Sequence, residues 1–537
     1  MSFAVGIDLG TTNSVVAVAT PTGVEFALGP QGERVHPSVV AFPPGGGVVC
    51  GTEAKARRVR EPDTTVYSAK RLIGQNIKSP LVQLALTGLP FAVEEGPNQQ
   101  PIVVTRDRRL TVPEVSGQVL AYLKCCAERQ LGQRVSQAVV TVPANFSDGQ
   151  RQATKEAGRL AGLEVLRLLN EPTAAALAYG FGQHKDEVVC VFDFGGGTFD
   201  VSLLAIKDEV FEVLATDGDF FLGGDDLDRA IAEFLAAEMN RQLHVDPRPD
   251  PALMTRLVLA GEEIKVHLSA HASAEGVIDG LHHQGRELQL PFRLTRAQLE
   301  NMVRGFVDRA IDLTRNVLTA AHIDPKMVTE VVCVGGTTRV PMVRQRLAEL
   351  FGREPALRIN PDEVVAQGAA IQAGSLAGSL FHGPARSARD AVPTAALSPL
   401  AHGGVPWAAP VAPARPILLD VTPAALRIAT AGGFTEEILE RNLPTPIERT
   451  RTFTTARDHQ TQVVIECCRG DARKADGNEA LGRLMLEGLP PRRRGEVRID
   501  VTFRVDQDGI LHVRARDADT GIAQEAELEV LGAPAAA

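Results

Sequence analysis

Short apolar segments alternate with amphipathic segments over residues 1–374, an arrangement typical of layered α/β domains. Three of the amphipathic segments open with a hydroxyl residue that is followed three positions later by Glu or Gln. Such pairs predict capped helix starts at Thr111, Ser147 and Thr295. We therefore expect strands and helices to succeed one another through this part of the chain.

A period of two replaces this pattern after residue 420. Over residues 497–505, apolar side chains alternate with charged or polar ones, which predicts a strand with one buried face. Asp508-Gly509 then predicts a hairpin turn before a second alternating strand. We expect an antiparallel β domain over residues 421–531, followed by a tail at 532–537.

Composition changes between these two regions. Residues 375–416 contain seven prolines scattered among Ala, Gly and Ser. The stretch is far longer than the ~12–15 residues at which loops without secondary structure become uncommon. We expect a flexible tether, and a functional segment is the alternative. A short apolar segment, residues 417–420, separates this tether from the β domain.

Composition and charge exclude several function classes. The chain has 537 residues, 44% of them hydrophobic, and a net charge of −10. An acidic chain is poorly suited to nucleic acid, because phosphate neutralisation needs a clustered cationic surface. Arg492–Arg494 is the only dense basic run, and we interpret it as a solvated loop.

Cysteine usage and the N-terminal sequence indicate a compartment. Seven cysteines, four of them in the adjacent pairs Cys125-Cys126 and Cys467-Cys468, do not form a disulfide framework and indicate reducing conditions. Met1 leads almost directly into an apolar strand, without a leader segment. No apolar run approaches the ~20 residues that a membrane helix needs. We expect a cytoplasmic protein that does not act on membranes.

Two similar turns stand at the ends of apolar strands, one after Asp8 and one after Asp193. Each lies between two strands, so we expect two tight hairpins. Small residues let backbone N–H groups approach an anion, threonine hydroxyls add donors, and the aspartates can hold hydrated Mg²⁺. One copy alone would be an ordinary turn. Two copies about 185 residues apart predict two related lobes whose loops face each other across a nucleotide-binding cleft.

A third glycine-rich element, Val331–Val340, passes from an apolar strand through Gly335-Gly336 towards a helix near Pro341. A simple strand-to-helix turn is the alternative, but beside two phosphate loops a nucleotide contact is favoured. Other nucleotide signatures are absent. The chain has no Gly-Lys dipeptide and hence no P-loop, and Asp193-Phe194-Gly195 has no accompanying kinase catalytic loop.

Together these motifs resemble the seventy-kilodalton heat-shock chaperones of the DnaK type. The residues that carry the resemblance are Ile7–Ser14, Asn170–Gly180, Asp193–Asp200 and the Gly335 loop. The resemblance implies a two-lobed α/β actin-like ATPase domain over residues 1–374, followed by an all-β sandwich that binds peptides. It also implies hydrolysis of ATP to ADP, with Mg²⁺ and potassium ions (K⁺) as cofactors.

The resemblance assigns nucleotide-site roles by position. Lys70 matches a lysine beside the γ-phosphate, and the carboxylates that would surround the cations are Asp8, Glu171, Asp193 and Asp200, with Asp8, Asp193 and Asp200 as metal-binding residues. Phosphate contacts are implied for Gly10, Thr11, Thr12, Asn13, Gly195, Gly196, Gly197 and Thr198. Contacts to the nucleoside side are implied for Gly224, Glu262, Lys265, Ser269, Gly335, Gly336, Thr337, Arg339 and Asp362. From spacing alone, Glu262, Lys265 and Ser269 indicate only a solvent-exposed face of one helix.

The resemblance also assigns roles in peptide binding and in communication between the domains. Val463 matches the centre of the peptide pocket, and its walls match Ile428, Thr430, Phe453, Ile465 and Ile499; a plain core is the alternative for all six. An arch over the peptide matches Ala431 and Ala456. The relay between domains matches Pro143, Arg151, Leu418, Leu419 and Asp420, and Arg167 matches a contact for J-domain co-chaperones.

The implied partners are unfolded or extended polypeptides, a J-domain co-chaperone and a nucleotide exchange factor. In the family a helical lid follows the β domain, whereas here the printed chain ends at Ala537, so we expect fast release of peptides. Two other functions remain open. One is an ATP-binding exchange factor or scaffold that does not hydrolyse ATP, and the other is a small-molecule kinase of the same fold.

Overall fold

The computed structural model describes residues 3–20, 23–106, 108–183, 186–356, 359–378, 416–430, 432–519, 523–524 and 529–530. Most of the predicted tether, residue Ala431 and the predicted tail lie outside the described residues. All three predicted capping boxes are confirmed, at the starts of helices in the first and second lobes. No helix within the described ranges is both long and apolar enough to cross a membrane.

The first lobe is built around a six-stranded sheet. Its strands and those of its two small side sheets are β1 Phe3–Leu9, β2 Asn13–Thr20, β3 Gly23–Phe26, β4 His36–Pro37, β5 Val40–Ala41, β6 Val49–Cys50, β7 Thr65–Val66, β8 Ala92–Glu95, β9 Pro101–Thr105, β10 Arg108–Thr111, β11 Val135–Val142 and β12 Glu164–Asn170. The helices are α1 Thr52–Arg57, α2 Pro80–Leu86, α3 Val112–Leu131, α4 Asp148–Leu160 and α5 Glu171–Gly180. The main sheet has the order β12-β11-β1-β2-β3, with β4 beside β2.

The second lobe repeats this plan. Its strands are β13 Asp186–Phe194, β14 Phe199–Lys207, β15 Val210–Asp219, β16 Ser273–His283, β17 Arg286–Thr295 and β18 Glu330–Val334, and its helices are α6 Gly224–Leu243, α7 Pro251–Ala270, α8 Arg296–Ala320, α9 Pro341–Phe351 and α10 Val364–Ala377. The main sheet has the order β18-β13-β14-β15, and a later strand, Ile417–Leu419, extends it beyond β15.

The two main sheets share one topology. In the first lobe β1, β2 and β3 form an antiparallel meander, and β11 lies parallel to β1 on its other side. In the second lobe β13, β14 and β15 form the same meander, and β18 lies parallel to β13. Both Asp-containing turns are the first hairpin of their meander. The prediction of two related lobes from the repeated motif is therefore confirmed.

Helices α5 and α10 pack between the two sheets, and glycines make their contact possible. A Cβ atom placed on Gly368 of α10 would lie 1.8 Å from the carbonyl oxygen of Ala174 in α5. A Cβ on Gly6 of β1 would lie 2.0 Å from the backbone nitrogen of Ala370. No carbon atom fits at either distance, so these two glycines set how closely the elements between the lobes approach.

The C-terminal part is an all-β sandwich, as predicted. Its strands, with the preceding linker strand β19, are β19 Ile417–Leu419, β20 Leu426–Ala429, β21 Thr435–Leu439, β22 Ile447–Thr454, β23 Gln462–Arg469, β24 Glu479–Glu487, β25 Arg498–Val505, β26 Leu511–Asp517, β27 Ala523–Gln524 and β28 Glu529–Val530. The two sheets have the orders β21-β20-β23-β24-β28 and β22-β25-β26-β27. Along β25 every second side chain is buried, which confirms the strand predicted from the alternation.

The crossing of α5 and α10 gives a stability prediction. Gly368→Ala should lower the free energy of unfolding of the two-lobed domain by about 3 kcal/mol or more, because its methyl group has no room. Gly305→Ala is the matched control, since Gly305 lies on an exposed stretch of α8 with no atom near its Cβ position. That substitution should stabilise the helix by about 0.5–1 kcal/mol. Calorimetry of the full chain measures both, and similar transition temperatures for the two variants would contradict the packing described above.

Candidate functional site

The two phosphate loops meet in a cleft between the lobes that encloses about 350 Å³ of free space. They are in contact: a Cβ on Gly196 would lie 1.9 Å from Thr12 Oγ1, and a Cβ on Gly197 would lie 2.3 Å from Thr11 Cγ2. The Thr12 hydroxyl also donates to Asp225 Oδ1 over 3.1 Å, which ties the first loop to the start of α6. The loops of the two lobes therefore face each other, as the sequence predicts.

Acidic side chains from both lobes converge at the floor of this cleft. Asp8 ends β1 and Asp193 ends β13, while Glu171 opens α5. The ammonium group of Lys70 lies among them, and it donates to Glu171 Oε1 over 2.6 Å. Both members of this ion pair are buried. Asp200 is buried behind them on β14.

Hydrogen bonds from neighbouring strands and loops orient two of these carboxylates. The Thr141 hydroxyl on β11 donates to Asp8 Oδ1 over 3.1 Å. The Asn145 side-chain amide donates to Asp200 Oδ1 over 3.0 Å. Both donors come from the first lobe, so Asn145 links a first-lobe loop to a second-lobe carboxylate. The position of Asp200 thus depends on how the lobes close.

Burial makes this cluster electrostatically unfavourable without a cation. Burial, reinforced by the nearby Glu171 carboxylate, raises the pKa of Asp8 to about 7. The same two causes raise the pKa values of Asp193 and Asp200 well above the usual range for aspartate. One lysine cannot compensate so many buried carboxylates. The oxygen-only chemistry of the cluster suits a hard cation such as Mg²⁺.

No three acidic, histidine or cysteine side chains among the described residues form a ready cage for a metal ion. This agrees with the usual way in which proteins hold Mg²⁺, through one or two carboxylates, several waters and the phosphates of a nucleotide. The residues present therefore fit a magnesium ion that arrives with a nucleotide.

The other end of the cleft combines charged side chains with exposed backbone. Lys265 on α7 pairs with Asp228 over 2.8 Å and donates to the Gly224 carbonyl over 3.2 Å. Arg339 pairs with Asp362 over 2.6 Å. Gly335 has a φ of 79°, and a Cβ there would lie 2.4 Å from the Phe194 carbonyl. Only glycine satisfies both constraints, so this turn packs directly against the backbone at Phe194 and Gly195.

Most of the residues predicted for the nucleotide site line this one cleft. They are Asp8, Gly10, Thr11, Thr12, Asn13, Lys70, Glu171, Asp193, Gly195, Gly196, Thr198, Gly224, Glu262, Lys265, Gly335, Gly336, Thr337, Arg339 and Asp362. Gly197, Asp200 and Ser269 do not line it. Gly197 packs under Thr11, Asp200 is buried behind the floor, and the Ser269 hydroxyl donates to the Lys265 carbonyl of its own helix.

Sequence reasoning missed several polar residues of the cleft. Asp225 and Asp228 line it from the first turns of α6. Thr141 and Asn145 orient Asp8 and Asp200 from behind. The Gly223-Gly224-Asp225-Asp226 run was a usable signal for α6, because it combines a close-approach glycine pair with acidic residues at a helix start. The sequence around Thr141 gave no such signal, because threonine is an ordinary residue within a strand.

The segment between the two domains is docked on the second lobe. Strand β19 pairs in parallel with β15, and the Ile417 N–H donates to the Glu209 carbonyl over 2.8 Å. Leu418 is buried in the apolar cluster that contains Phe211 of β15, whereas Leu419 is half-buried. The Asp420 carboxylate accepts a 2.6 Å hydrogen bond from Thr173 of α5. The segment is thus fixed by strand pairing, by burial and by a buried polar contact.

The hairpin turn at Asp508-Gly509 docks on the first lobe. Arg151 is buried, and its guanidinium donates to the Asp508 carbonyl and to Asn170 Oδ1, each over 3.0 Å. The Asp508 side chain accepts from the backbone N–H of Leu168 over 3.0 Å. A Cβ on Gly509, whose φ is 74°, would lie 3.0 Å from Arg151 Cζ. The predicted turn is confirmed, and it is also a contact between domains.

Further contacts surround this turn. Asp148 at the start of α4 is fully buried, and its Oδ1 accepts from the Leu511 N–H over 2.5 Å. Arg469 of β23 donates to the Asn145 carbonyl over 2.6 Å. Of the remaining relay residues, Pro143 is buried at the end of β11, and Arg167 of β12 has a buried Nε without a hydrogen-bond partner.

The residues predicted to bind peptides divide into two groups. Ile428, Ile465 and Ile499 are buried in the core of the sandwich, where the plain-core alternative also places them. Phe453 and Val463 are partly exposed at the margin of that core. Thr430 is partly exposed, Ala456 is exposed, and Ala431 lies outside the described residues.

A two-lobed α/β domain with paired phosphate loops in its cleft, joined through a docked strand to a β sandwich, has the architecture of a chaperone-type actin-like ATPase. The family model described as Hsp70 protein matches residues 4–391 and 409–533. The chain therefore belongs to the Hsp70 family. A general chaperone role and the binding of ATP or ADP with Mg²⁺ follow at the level of the family.

The buried Asp148 gives a pH prediction for domain docking. Burial raises the pKa of Asp148 to about 7 in the docked structure, whereas separation of the domains would return it towards the usual value of 3.8. The docked state therefore holds the proton more tightly. Its contribution to docking is complete below about pH 3.8 and is lost as the pH rises through about 7. Between pH 6 and 8, docking should weaken by up to about tenfold.

Asp148→Asn should remove this dependence, because an amide keeps the acceptor for Leu511 and does not ionise. Energy transfer between dyes on the two domains, measured with ATP bound, reports docking at each pH. Asp312→Asn is the matched control, since Asp312 is an exposed residue of α8 paired with Arg315. An unchanged pH profile in Asp148→Asn would contradict the assignment of the effect to this carboxylate.

Proposed function

We propose that this protein hydrolyses ATP and uses the nucleotide state to control the binding of exposed apolar segments of unfolded polypeptides. The single observation that supports this most strongly is the buried Lys70–Glu171 ion pair, with the carboxylates of Asp8 and Asp193 beside it at the cleft floor. A site that only had to hold a nucleotide would not need this group. A site that neutralises a phosphoryl group in transfer does need it.

In this proposal the two phosphate loops hold the triphosphate. Thr11, Thr12 and Thr198 supply hydroxyl donors, and the glycines at 195–197 let backbone N–H groups approach the phosphate oxygens. Lys265 and Glu262 would bind the ribose, and Arg339 would lie against the base. The Lys265–Asp228 contact supports this role because it fixes the ammonium group at the cleft wall.

Asp8 and Asp193 would hold the magnesium ion through its water shell, and Glu171 and Asp200 would complete the negative environment, in which K⁺ is also expected. The bound metal supplies charge neutralisation for the phosphates. Lys70 is positioned by Glu171 so that its ammonium group points into the cleft. Phosphoryl transfer to water asks mainly for position and for charge stabilisation, and these residues provide both.

Coupling to the β domain would run through the contacts of Arg151, Asp420 and the Asp508 turn. Arg151 contacts Asn170, which directly precedes Glu171 in the chain, so the interface lies one residue from the cleft floor. A shift between docked and undocked states needs only a few kcal/mol of differential nucleotide binding. The peptide would lie near Phe453 and Val463, and Arg167 would contact a J-domain co-chaperone. A nucleotide exchange factor and a cytoplasmic location belong to the same proposal.

Single-turnover hydrolysis of ATP tests this function. Wild type should convert ATP to ADP and inorganic phosphate, and an apolar peptide should accelerate the reaction by about two- to tenfold. Lys70→Ala should slow hydrolysis by about 100-fold or more, because it removes the ammonium group that lies among the carboxylates of the cleft floor. Its affinity for ATP, measured by calorimetry, should change far less, and this separates catalysis from folding.

Lys326→Ala is the matched control, since Lys326 is exposed and does not line the cleft. The two alternative functions give different results. A scaffold that does not hydrolyse ATP would bind nucleotide without forming ADP. A small-molecule kinase would transfer phosphate to an acceptor and not to water.

A further inference from the structure

The basic run Arg492–Arg494, interpreted from the sequence as a solvated loop, lies against another loop of the β domain, residues 455–461. Three hydrogen bonds join the two loops. The His459 N–H donates to the Arg492 carbonyl over 2.7 Å, the Arg494 N–H donates to Asp458 Oδ1 over 2.7 Å, and the Gly495 N–H donates to the Thr455 carbonyl over 3.0 Å. The run is therefore held in one place on the surface.

Three arginines of this loop pair, Arg457, Arg493 and Arg494, form what we call the basic rim. All three are exposed, and none has an ion pair within the described part of the chain. The nearby carboxylates are engaged elsewhere. Asp458 and Glu496 accept from the backbone N–H groups of Arg494 and Arg493, and Asp519 pairs with Arg492 and Arg498; these bonds measure 2.7, 3.1, 3.3 and 2.8 Å.

An unpaired cationic surface is unexpected on a chain with a net charge of −10. If solubility alone shaped this loop, the acidic neighbours would face the guanidinium groups. Instead Asp458 and Glu496 bind main-chain groups and Asp519 pairs with Arg492 and Arg498, which leaves the side chains of the basic rim available to an external anion. Arg493 and Arg494 are also placed by backbone contacts, which lowers the entropy lost when they bind.

The position of the basic rim indicates which anion it meets. Loop 455–461 carries Ala456 of the expected arch, follows Phe453 of β22 and precedes Val463 of β23. These two side chains are partly exposed at the margin of the sandwich core, where the proposed function puts the client. The inference therefore rests on that proposed function and adds to it the chemistry of the residues that flank the apolar core of a client.

We propose that the basic rim binds aspartate or glutamate side chains on one flank of the bound segment, so that the protein prefers clients with an apolar core and an acidic flank. Guanidinium groups bind carboxylates through paired hydrogen bonds. Because the rim is exposed, each contact is weak and screened by salt. A nucleic acid is disfavoured as the ligand, since loops 455–461 and 490–496 contain no Phe, Tyr or Trp to offer a large stacking surface.

Binding of three labelled peptides to the full chain with ADP tests the proposal. The peptides share one apolar core of seven residues and carry Asp-Glu, Ser-Gly or Lys-Arg flanks. Fluorescence anisotropy at about 0.05 M salt should show that the acidic flank binds about three- to tenfold more tightly than the neutral flank. The advantage should largely disappear at about 0.5 M salt.

The triple variant Arg457→Gln/Arg493→Gln/Arg494→Gln should bind the neutral peptide as wild type does and should lose the advantage of the acidic flank. The matched control is Arg60→Gln/Arg134→Gln/Arg286→Gln, which removes the same charge from exposed arginines of the ATPase domain that have no ion pair among the described residues. It should keep the advantage.

Each other outcome has a defined meaning. Equal binding of the acidic and neutral peptides at low salt, or an acidic advantage that survives in the triple variant, would overturn the proposal. Equal peptide binding together with a single-stranded oligonucleotide that binds wild type but not the triple variant would assign the rim to nucleic acid and would also overturn it. If wild type bound none of the three peptides, the proposed chaperone function itself would fail.

Discussion

The rest of the structure depends on one constraint, which is that several acidic side chains are buried where water cannot fully solvate them. At the cleft floor, carboxylates from both lobes surround the ammonium group of Lys70, and burial drives the pKa values of Asp8, Asp193 and Asp200 upwards. Such a group of like charges opposes closure of the lobes until a cation enters. The nucleotide and its metal are therefore expected to act as the missing counter-charge of the fold. Lobe closure and ligand binding therefore depend on the same electrostatic interaction between the carboxylates and the bound cation.

The domain interface lies next to this cluster of buried carboxylates. Asn145 donates its side-chain amide to Asp200 and accepts, at its carbonyl, from Arg469 of the β domain. Arg151 contacts Asn170, which precedes Glu171. Two short routes thus join cleft carboxylates to the sandwich, one through Asn145 and the other through Arg151 and Asn170. These contacts identify the side chains through which a change of charge in the cleft reaches the interface most directly.

Short sequence patterns predicted secondary structure well, whereas contacts between distant parts of the chain were harder to predict from the sequence. The Asp-Gly hairpins, the capped helices and the alternating strand β25 follow from spacing that spans a few residues. The Asp508 turn shows the limit: its sequence predicts a hairpin, yet its contact with Arg151 joins residues that are 357 positions apart. Asp228 and Thr141 were missed for the same reason. Arg492–Arg494 are exposed, as predicted for a solvated loop, but their backbone contacts with loop 455–461 leave no trace in composition.

Strand β19 has a consequence beyond joining the domains, because it covers the outer side of β15. If the linker strand departs, β15 becomes the last strand of its sheet, with main-chain donors and acceptors facing solvent. A bare edge of this kind pairs readily with any extended polypeptide, including another copy of itself. The exposed Glu212 gives that edge some charge to resist such pairing. A long-lived undocked state would therefore self-associate more readily than the docked state. The linker strand protects the two-lobed domain from such association.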